Sequence, residues 1–264
     1  MNTIDVLNSI AEKNTDIDSF SFHTFPKQTL LQEKLPQWSE MEQMHFEKAM
    51  KLRKQLHLPF WDAIMISTFD TPVYSTNILE TALHHNHIDN VFYIKSTDIQ
   101  QNHILCNNDK RLAVCSLVIM KSGDIRHIPM LDFHIPVSDS NFHVVENICS
   151  ILNLKSGFIL NSGESYHFIS ASTVTWDELY IILSRALLFC PILDRAWISH
   201  QLQEKSCSLR VDKKNGVETF VLKTLKYSGW EMDYIYPLKL GGDNRLENLH
   251  ALYFTQHIVS TSWL

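Results

Sequence analysis

The segment from Gly157 to Phe168 constrains the fold of this chain more than any other part of it. It reads Gly-Phe-Ile-Leu-Asn-Ser-Gly-Glu-Ser-Tyr-His-Phe, two apolar runs separated by a turn around Gly163. This pattern predicts a strand, a glycine turn and a second strand. Alternate side chains of a strand share a face, so Ser165 and His167 are expected to point the same way. A hydroxyl and an imidazole beside a glycine turn, whose amides can approach a ligand, are suited to holding a phosphate.

A second polar pair lies upstream in the apolar segment Met130-Leu-Asp-Phe-His-Ile-Pro136, which also predicts a strand. Asp132 and His134 are two residues apart and therefore share a face of that strand. Two strands of one sheet would bring these four polar side chains onto a surface that is otherwise buried.

The two strands resemble the archaeo-eukaryotic primase superfamily, the primase-polymerases, over roughly residues 60 to 225. Members of that superfamily have an Asp-x-Asp/Glu strand, a Ser-x-His strand and a later hydrophobic-Asp pair, which Leu193-Asp194 matches here. The phrase Pro191-Ile-Leu-Asp-Arg-Ala-Trp-Ile-Ser-His-Gln-Leu202, followed by Ser-Leu-Arg-Val, is similar to a bacterial primase-like branch.

The resemblance implies a role for each matched residue in nucleotidyl transfer. Asp132 and Asp194 would hold a divalent metal ion, Ser165 and His167 would bind the triphosphate of a nucleotide, and Arg210 would neutralise charge. The substrate classes it implies are nucleoside triphosphates together with DNA or RNA.

His134 departs from the pattern, because polymerases of this superfamily keep a second carboxylate at its position. Two Mg²⁺ ions need bridging oxygen ligands, whereas an imidazole suits Mn²⁺, Zn²⁺ or Fe²⁺ better. We therefore expect Mn²⁺ or Mg²⁺ as the cofactor, with His134 as a further catalytic residue and Mn²⁺ preferred. A purely structural interpretation remains open, in which Asp132 caps a turn, His134 is a core histidine and Asp194 begins a helix over 195–203.

A second motif begins at Trp230 and reads Trp-Glu-Met-Asp-Tyr-Ile-Tyr-Pro-Leu-Lys-Leu-Gly-Gly-Asp-Asn-Arg-Leu-Glu-Asn-Leu-His-Ala-Leu. It is similar to the HNH nuclease motif, a β-hairpin followed by a helix that grips one metal ion. The resemblance implies Asp233 and His257 as metal ligands and Asn248 as the motif asparagine.

Tyr234 occupies the position of the general base, which is a histidine in those nucleases. A phenol with a pKa near 10 is mostly protonated at neutral pH, so it activates water poorly. The motif therefore predicts a degenerate HNH-like module that binds metal or nucleic acid. The alternatives are a metal-dependent nuclease with an atypical base, and a hairpin and helix that only close the domain.

Composition narrows the class of protein. The net charge is −6, which argues against broad, non-specific binding to duplex nucleic acid. The five cysteines are scattered and form no Cys-x-x-Cys pair, so we expect reduced core residues. We find neither an apolar run long enough to span a membrane nor a cationic leader before an apolar one, and we predict a cytoplasmic protein with no membrane partner.

The order of apolar patterns predicts an α+β fold, a primase-polymerase-like mixed sheet covered by helices, with a small C-terminal ββα module. We expect a helical N-terminal segment over 1–59, a primase-like α/β domain over 60–226 and the HNH-like module over 227–264. Within this scheme, the apolar run from Ala63 to Ser67 is predicted to be a strand and residues 76–85 a helix.

The leading functional hypothesis is a primase-like protein that handles nucleotides or nucleic acid in bacterial DNA maintenance or phage defence. It would act as a metal-dependent nucleotidyltransferase beside a partner protein of a defence or replication system. The alternatives are a catalytically inactive primase fold that serves as a binding or assembly subunit, and the atypical nuclease described above.

Overall fold

The computed structural model describes residues 1–26, 30–67, 76–83, 90–99, 110–154, 156–211, 218–226, 230–234 and 249–253. The chain divides into two compact units, Met1–Leu225 and Lys226–Leu264. The first unit combines two antiparallel sheets with helices, so the predicted α+β class is confirmed. Among the described residues, we find no helix with the length and apolarity that a membrane crossing needs.

The first sheet contains the strands β1 (Ile17–Pro26), β2 (Phe92–Lys95), β3 (Lys110–Met120), β4 (Ile125–His127) and β8 (Ser208–Arg210). Their order is β2-β1-β3-β4, and β8 pairs with β3 beside β4. The central strand β3 is long and buried along most of its length, as expected from its run of apolar residues.

The second sheet contains the strands β5 (Met130–Asp132), β6 (Gly157–Asn161), β7 (Tyr166–Ser170) and β9 (Phe220–Leu225). Their order is β5-β7-β6-β9, and β6 and β7 form the predicted glycine hairpin. Both hairpin strands are buried over nearly all their residues, so elements cover both faces of this part of the sheet.

Four helices pack around the two sheets, and each begins at a residue whose side chain caps its first turn. One hydrophobic core joins side chains from both sheets and from these helices, including Phe20, Val114 and Phe168. The helices are α1 (Thr3–Lys13), α6 (Asp139–Ile151), α7 (Trp176–Ala186) and α8 (Arg195–Glu204).

A second, smaller core lies among four further helices of the N-terminal part: α2 (Leu30–Lys34), α3 (Glu40–Leu56), α4 (Phe60–Ser67) and α5 (Thr76–Leu83). The prediction of a strand over 63–67 is wrong, because these residues lie in α4. Ala63, Ile64 and Ser67 are buried while Met65 and Ile66 are exposed, which is helical spacing and not alternation.

The segment predicted to be helical, residues 1–59, also contains a strand. β1 pairs with β3 on one side and with β2 on the other, so these residues contribute to the first sheet. The alternation in Ser19-Phe20-Ser21-Phe22 is the sequence signal for this strand. The three-part division of the chain stays a prediction.

The second unit contains a hairpin of two antiparallel strands, β10 (Trp230–Tyr234) and β11 (Leu249–Tyr253). The predicted helix of the ββα motif falls outside the described residues. The hairpin is the part of the motif that the structure describes.

Candidate functional site

Three of the predicted site residues lie side by side across neighbouring strands. Asp132 on β5 is the register partner of His167 on β7. On the other side of β5, Phe133 bridges Leu193, and the amide of Asp194 donates to the Asp132 carbonyl at 3.2 Å. This register places Asp194 opposite Asp132. Since directly opposite residues of antiparallel strands point to the same face, Asp132, Asp194 and His167 share one face of the sheet.

A second row of polar residues lies two positions further along these strands. His134 follows Asp132 by two residues, and its amide donates to the Ile192 carbonyl at 2.7 Å. Ser165 precedes His167 by two residues, so by the same register it lies opposite His134. The four residues expected on one face from the sequence are therefore neighbours in the sheet.

Asp132 and His167 also contact each other through their side chains. His167 Nε2 and Asp132 Oδ1 are 3.5 Å apart, an ion-pair distance that is long for a strong hydrogen bond. The imidazole is buried, whereas the carboxylate keeps 28% of its side-chain surface exposed. The carboxylate therefore remains accessible from solvent while it orients the buried ring.

Asp194 has a structural role in addition to its place in the row. It is the N-cap of α8, and its Oδ1 accepts hydrogen bonds from the amides of Ala196 at 2.9 Å and Trp197 at 3.1 Å. The structural interpretation of this residue, that it begins a helix, is thus confirmed. A carboxylate at a helix N-terminus is also stabilised by the positive end of the helix dipole.

Arg210 lies on β8 of the first sheet and reaches the hairpin of the second. Its Nη2 donates to the Ser162 carbonyl at 3.2 Å. The Ser162 and Ser165 hydroxyl oxygens are 3.2 Å apart, and the Ser162 amide donates to the Ser165 carbonyl at 3.0 Å. The guanidinium group and the two hydroxyls therefore all lie at the turn, a combination that suits an anionic ligand.

The hairpin turn differs from the prediction in one respect. Gly163 has a φ of 102°, which explains the glycine, but its amide donates to Asn161 Oδ1 at 2.7 Å. The Ser162 amide is also engaged, as described above. The expectation that the Ser162 and Gly163 amides bind phosphate is therefore corrected, because both amides already donate hydrogen bonds within the turn.

The donor set suits one hard divalent cation better than two. Asp132 and Asp194 supply carboxylate oxygens on one face, which Mg²⁺ and Mn²⁺ accept, with waters completing the shell. Within the part of the chain that the structure describes, no three His, Cys, Asp or Glu side chains are placed together to hold a metal ion. Asp194 already uses Oδ1 as the helix cap, which limits how it can turn toward a metal.

The predicted HNH-like residues are only partly described. Asp233 and Tyr234 lie on β10, where they pair with His250 and Leu249 of β11. Asn248 and His257 lie outside the described residues.

Three cysteines confirm the expectation of buried thiols. Cys115, Cys149 and Cys207 are buried and free, and burial raises the pKa of each thiol to about 12. Such thiols stay protonated at neutral pH and are poor nucleophiles.

Sequence reasoning missed three residues of this region. Ser162 could have been found, because a four-residue turn between β6 and β7 places it opposite Ser165. Trp197 and Gln201, which bond β8 from α8, carry no signal in the sequence because no local pattern specifies which helix side chains bond the edge of the next strand. A surface groove lined by Glu146, Asn147, Ser150, Leu154 and Leu225 lies toward β9, the opposite edge of the sheet from Asp132.

One family model matches part of the chain. The model described as AEP-like, archaeo-eukaryotic primase 1D-like, matches residues 95–219, which include both polar rows and Arg210. No curated protein and no solved structure matches the chain significantly. The match supports a primase-like segment over 95–219, of the archaeo-eukaryotic primase superfamily, and a function related to nucleotides or nucleic acid.

Proposed function

We propose that the primase-like domain binds a nucleoside triphosphate on the face shared by Asp132, His167 and Asp194. The observation that carries this proposal is that Arg210 donates to the Ser162 carbonyl at the hairpin turn, where the Ser162 and Ser165 hydroxyls lie 3.2 Å apart. A guanidinium group and hydroxyl donors bind phosphate oxygens through charge-assisted hydrogen bonds. His167, which Asp132 contacts from the neighbouring strand, would contribute a further phosphate contact when protonated.

The same face would hold one divalent cation, Mn²⁺ or Mg²⁺. Asp132 and Asp194 would be its protein ligands, with His134 close by in the second row. The cation would act as a Lewis acid on a phosphate oxygen. Because His134 stands where related polymerases keep a carboxylate, we expect Mn²⁺ to be accepted more readily than Mg²⁺.

In this proposal each protein residue has a separate role, set by its position in the site. Asp132 orients the imidazole of His167, Arg210 neutralises phosphate charge at the turn, and Ser165 fixes the phosphate by a hydroxyl bond. The reaction class is nucleotidyl transfer to a DNA or RNA strand. The setting, bacterial DNA maintenance or phage defence beside a partner protein, rests on the family resemblance alone.

Calorimetry with each of the eight common ribo- and deoxyribonucleoside triphosphates in Mn²⁺ tests the binding step. We expect Arg210→Gln to weaken binding by at least about tenfold, since charge-assisted bonds contribute about 1.5–3 kcal/mol. Ser165→Ala should weaken it by about fivefold, as expected for a neutral hydrogen bond.

Arg185→Gln provides the matched control, because Arg185 is an exposed arginine of α7 outside the polar rows. It should bind the triphosphate as the unmodified protein does. Absence of measurable binding by the unmodified protein, with Mn²⁺ or Mg²⁺ present, would refute the proposal.

A second candidate function is a catalytically inactive binding or assembly subunit. The engagement of Asp194 Oδ1 by two helix amides favours it, because this carboxylate is then less able to turn toward a metal. Incorporation of labelled nucleotides on a single-stranded template distinguishes the two functions. Incorporation that is lost in Asp132→Ala supports catalysis, whereas nucleotide binding without incorporation in either metal supports the assembly role.

For the second unit we propose a degenerate HNH-like module that binds one metal ion through Asp233 and His257. The hairpin of β10 and β11 supports this proposal, since it supplies the two strands of the motif. Tyr234→His should raise metal-dependent nicking of plasmid DNA well above the parent, because it supplies the missing base. Asp233→Ala in that background should abolish the gain, and efficient nicking by the parent that is lost in Tyr234→Phe would make Tyr234 itself catalytic.

A further inference from the structure

The short strand β8, which carries Arg210, has one edge on β3 and the other directed toward α8. Ser208 lies opposite Cys115 of β3. The amide of Val211 donates to the Leu112 carbonyl at 2.9 Å, so the odd-numbered residues direct their backbone groups to β3. Since successive residues of a strand alternate between its two edges, the backbone N–H and C=O of Ser208 point away from β3.

Two side chains of α8 bond these outward groups in place of a neighbouring strand. Trp197 Nε1 donates to the Ser208 carbonyl at 3.0 Å, and the Ser208 amide donates to Gln201 Oε1 at 2.7 Å. Gln201 Nε2 in turn donates to the Trp197 carbonyl at 3.1 Å, so the helix and the strand are joined by a closed set of bonds. Gln201 is 1% exposed and Trp197 8% exposed, which keeps water from replacing these bonds easily.

These bonds between α8 and β8 connect the two parts of the proposed site, which are the polar rows and Arg210. α8 begins directly after Asp194, the residue opposite Asp132, and its side chains then hold β8 two residues before Arg210. β8 spans only Ser208–Arg210, so its own bonds to β3 are few. The position of the guanidinium group therefore depends on how α8 holds the strand.

We propose that Gln201 and Trp197 are positioning residues for Arg210, which fix the outer edge of β8 so that the guanidinium group meets the triphosphate at the hairpin turn. The inference rests on the proposed function, since it names the residues that set the phosphate contact of the same site. Neither Gln201 nor Trp197 contacts the triphosphate itself.

The test is a double-mutant cycle on triphosphate affinity, measured with Mn²⁺ and the triphosphate that the unmodified protein binds most tightly. Gln201→Met keeps the side-chain length and removes both polar atoms, and Trp197→Phe removes Nε1 and keeps a ring. Each should weaken binding by about fivefold, the effect of one hydrogen bond. In an Arg210→Gln background, each should change the affinity by less than about twofold, because the group that they position is gone.

Val145→Ala controls for a general loss of stability, since Val145 is buried in α6, which carries none of the proposed site residues. It should lower the melting temperature and leave the triphosphate affinity unchanged. If Gln201→Met fails to fold, Trp197→Phe still tests the same strand.

The remaining outcomes separate failure of the positioning inference from failure of the proposed function. Unchanged affinity in both variants, with Arg210→Gln impaired, would overturn the inference and leave the proposed function standing. Equal losses with and without Arg210, or an equal loss in Val145→Ala, would mean that the effect does not pass through the guanidinium group. Absence of triphosphate binding by the unmodified protein would overturn the proposed function and the inference together.

Discussion

Asp194 combines two roles that substitution can separate, a helix cap and a proposed metal ligand. Its Oδ1 accepts the amides of Ala196 and Trp197, and it lies opposite Asp132 in the sheet. Asn is as good an N-cap as Asp, since its amide oxygen accepts the same bonds. Asp194→Asn should therefore keep the cap and lose the negative charge that holds a cation, whereas Asp194→Ala should lose both.

The cap alone sets the expected change in stability. Replacing a capping Asp by Ala costs about 0.5–2 kcal/mol, and two accepted amides place this site in the upper half of that range. For a folded unit of this size, 1 kcal/mol corresponds to about 2–4 °C in melting temperature. We expect Asp194→Ala to melt about 3–6 °C below the unmodified protein, from 1.5 kcal/mol or so of lost capping. Asp194→Asn should melt within about 1–2 °C of the unmodified protein, because the cap persists.

Mn²⁺ binding measures the other role, by electron paramagnetic resonance of the free ion during a titration. Both variants should bind Mn²⁺ at least tenfold more weakly in the primase-like site, about the lower limit for loss of one of two carboxylate ligands. Asp139→Asn is the matched control, because Asp139 is an exposed carboxylate at the start of α6. Asp194→Asn with unchanged Mn²⁺ affinity would refute the metal role, and Asp194→Ala with unchanged melting would refute the capping argument.

Three further predictions concern stability. Burial lowers the pKa of His127 to about 4, so the folded protein resists protonation that the unfolded chain accepts below its ordinary pKa of 6.5. The free energy of unfolding should fall by about 3 kcal/mol as the pH drops from 6.5 to 4, and urea titrations of His127→Gln should lack this part of the pH dependence. Gly157→Ala would place a Cβ 2.5 Å from the Ile169 carbonyl oxygen, so it should cost about 1–3 kcal/mol in the same assay; a neutral effect would show that the hairpin can shift. Asp62→Asn removes the negative partner of Arg195 in a half-exposed ion pair, so the free energy of unfolding measured by urea denaturation should fall by less than about 1 kcal/mol. A much larger fall would show that solvent does not screen this pair.

Local sequence patterns were sufficient to predict the two strands that carry most of the site. The alternation around Gly163 fixes which side chains of β7 share a face, and the same holds for Asp132 and His134 upstream. The order of these motifs, with Leu193-Asp194 after them, predicted the primase-like class that the family match supports. These signals are readable because each depends on residues close together in the chain.

The remaining features depend on contacts between distant residues. Arg210 meets the hairpin only because β8 pairs with β3 and α8 holds its other edge, and no local pattern specifies that pairing. The Gly163 amide donates a hydrogen bond to the Asn161 side chain. An Asn beside a glycine turn can accept this bond, but its presence in the sequence does not require it. The run over 63–67 was predicted to be a strand because a short apolar run fits both periods, and packing within the N-terminal helical core decides for the helix.

A crystal structure of the protein with Mn²⁺ and a nucleoside triphosphate would show whether the two polar rows and Arg210 form one nucleotide site. We expect anomalous density for one Mn²⁺ between Asp132 and Asp194, with the triphosphate extending toward Ser165 and Arg210. Nucleotide bound elsewhere in the primase-like domain, with Arg210 still on the Ser162 carbonyl and no metal beside Asp132, would contradict it.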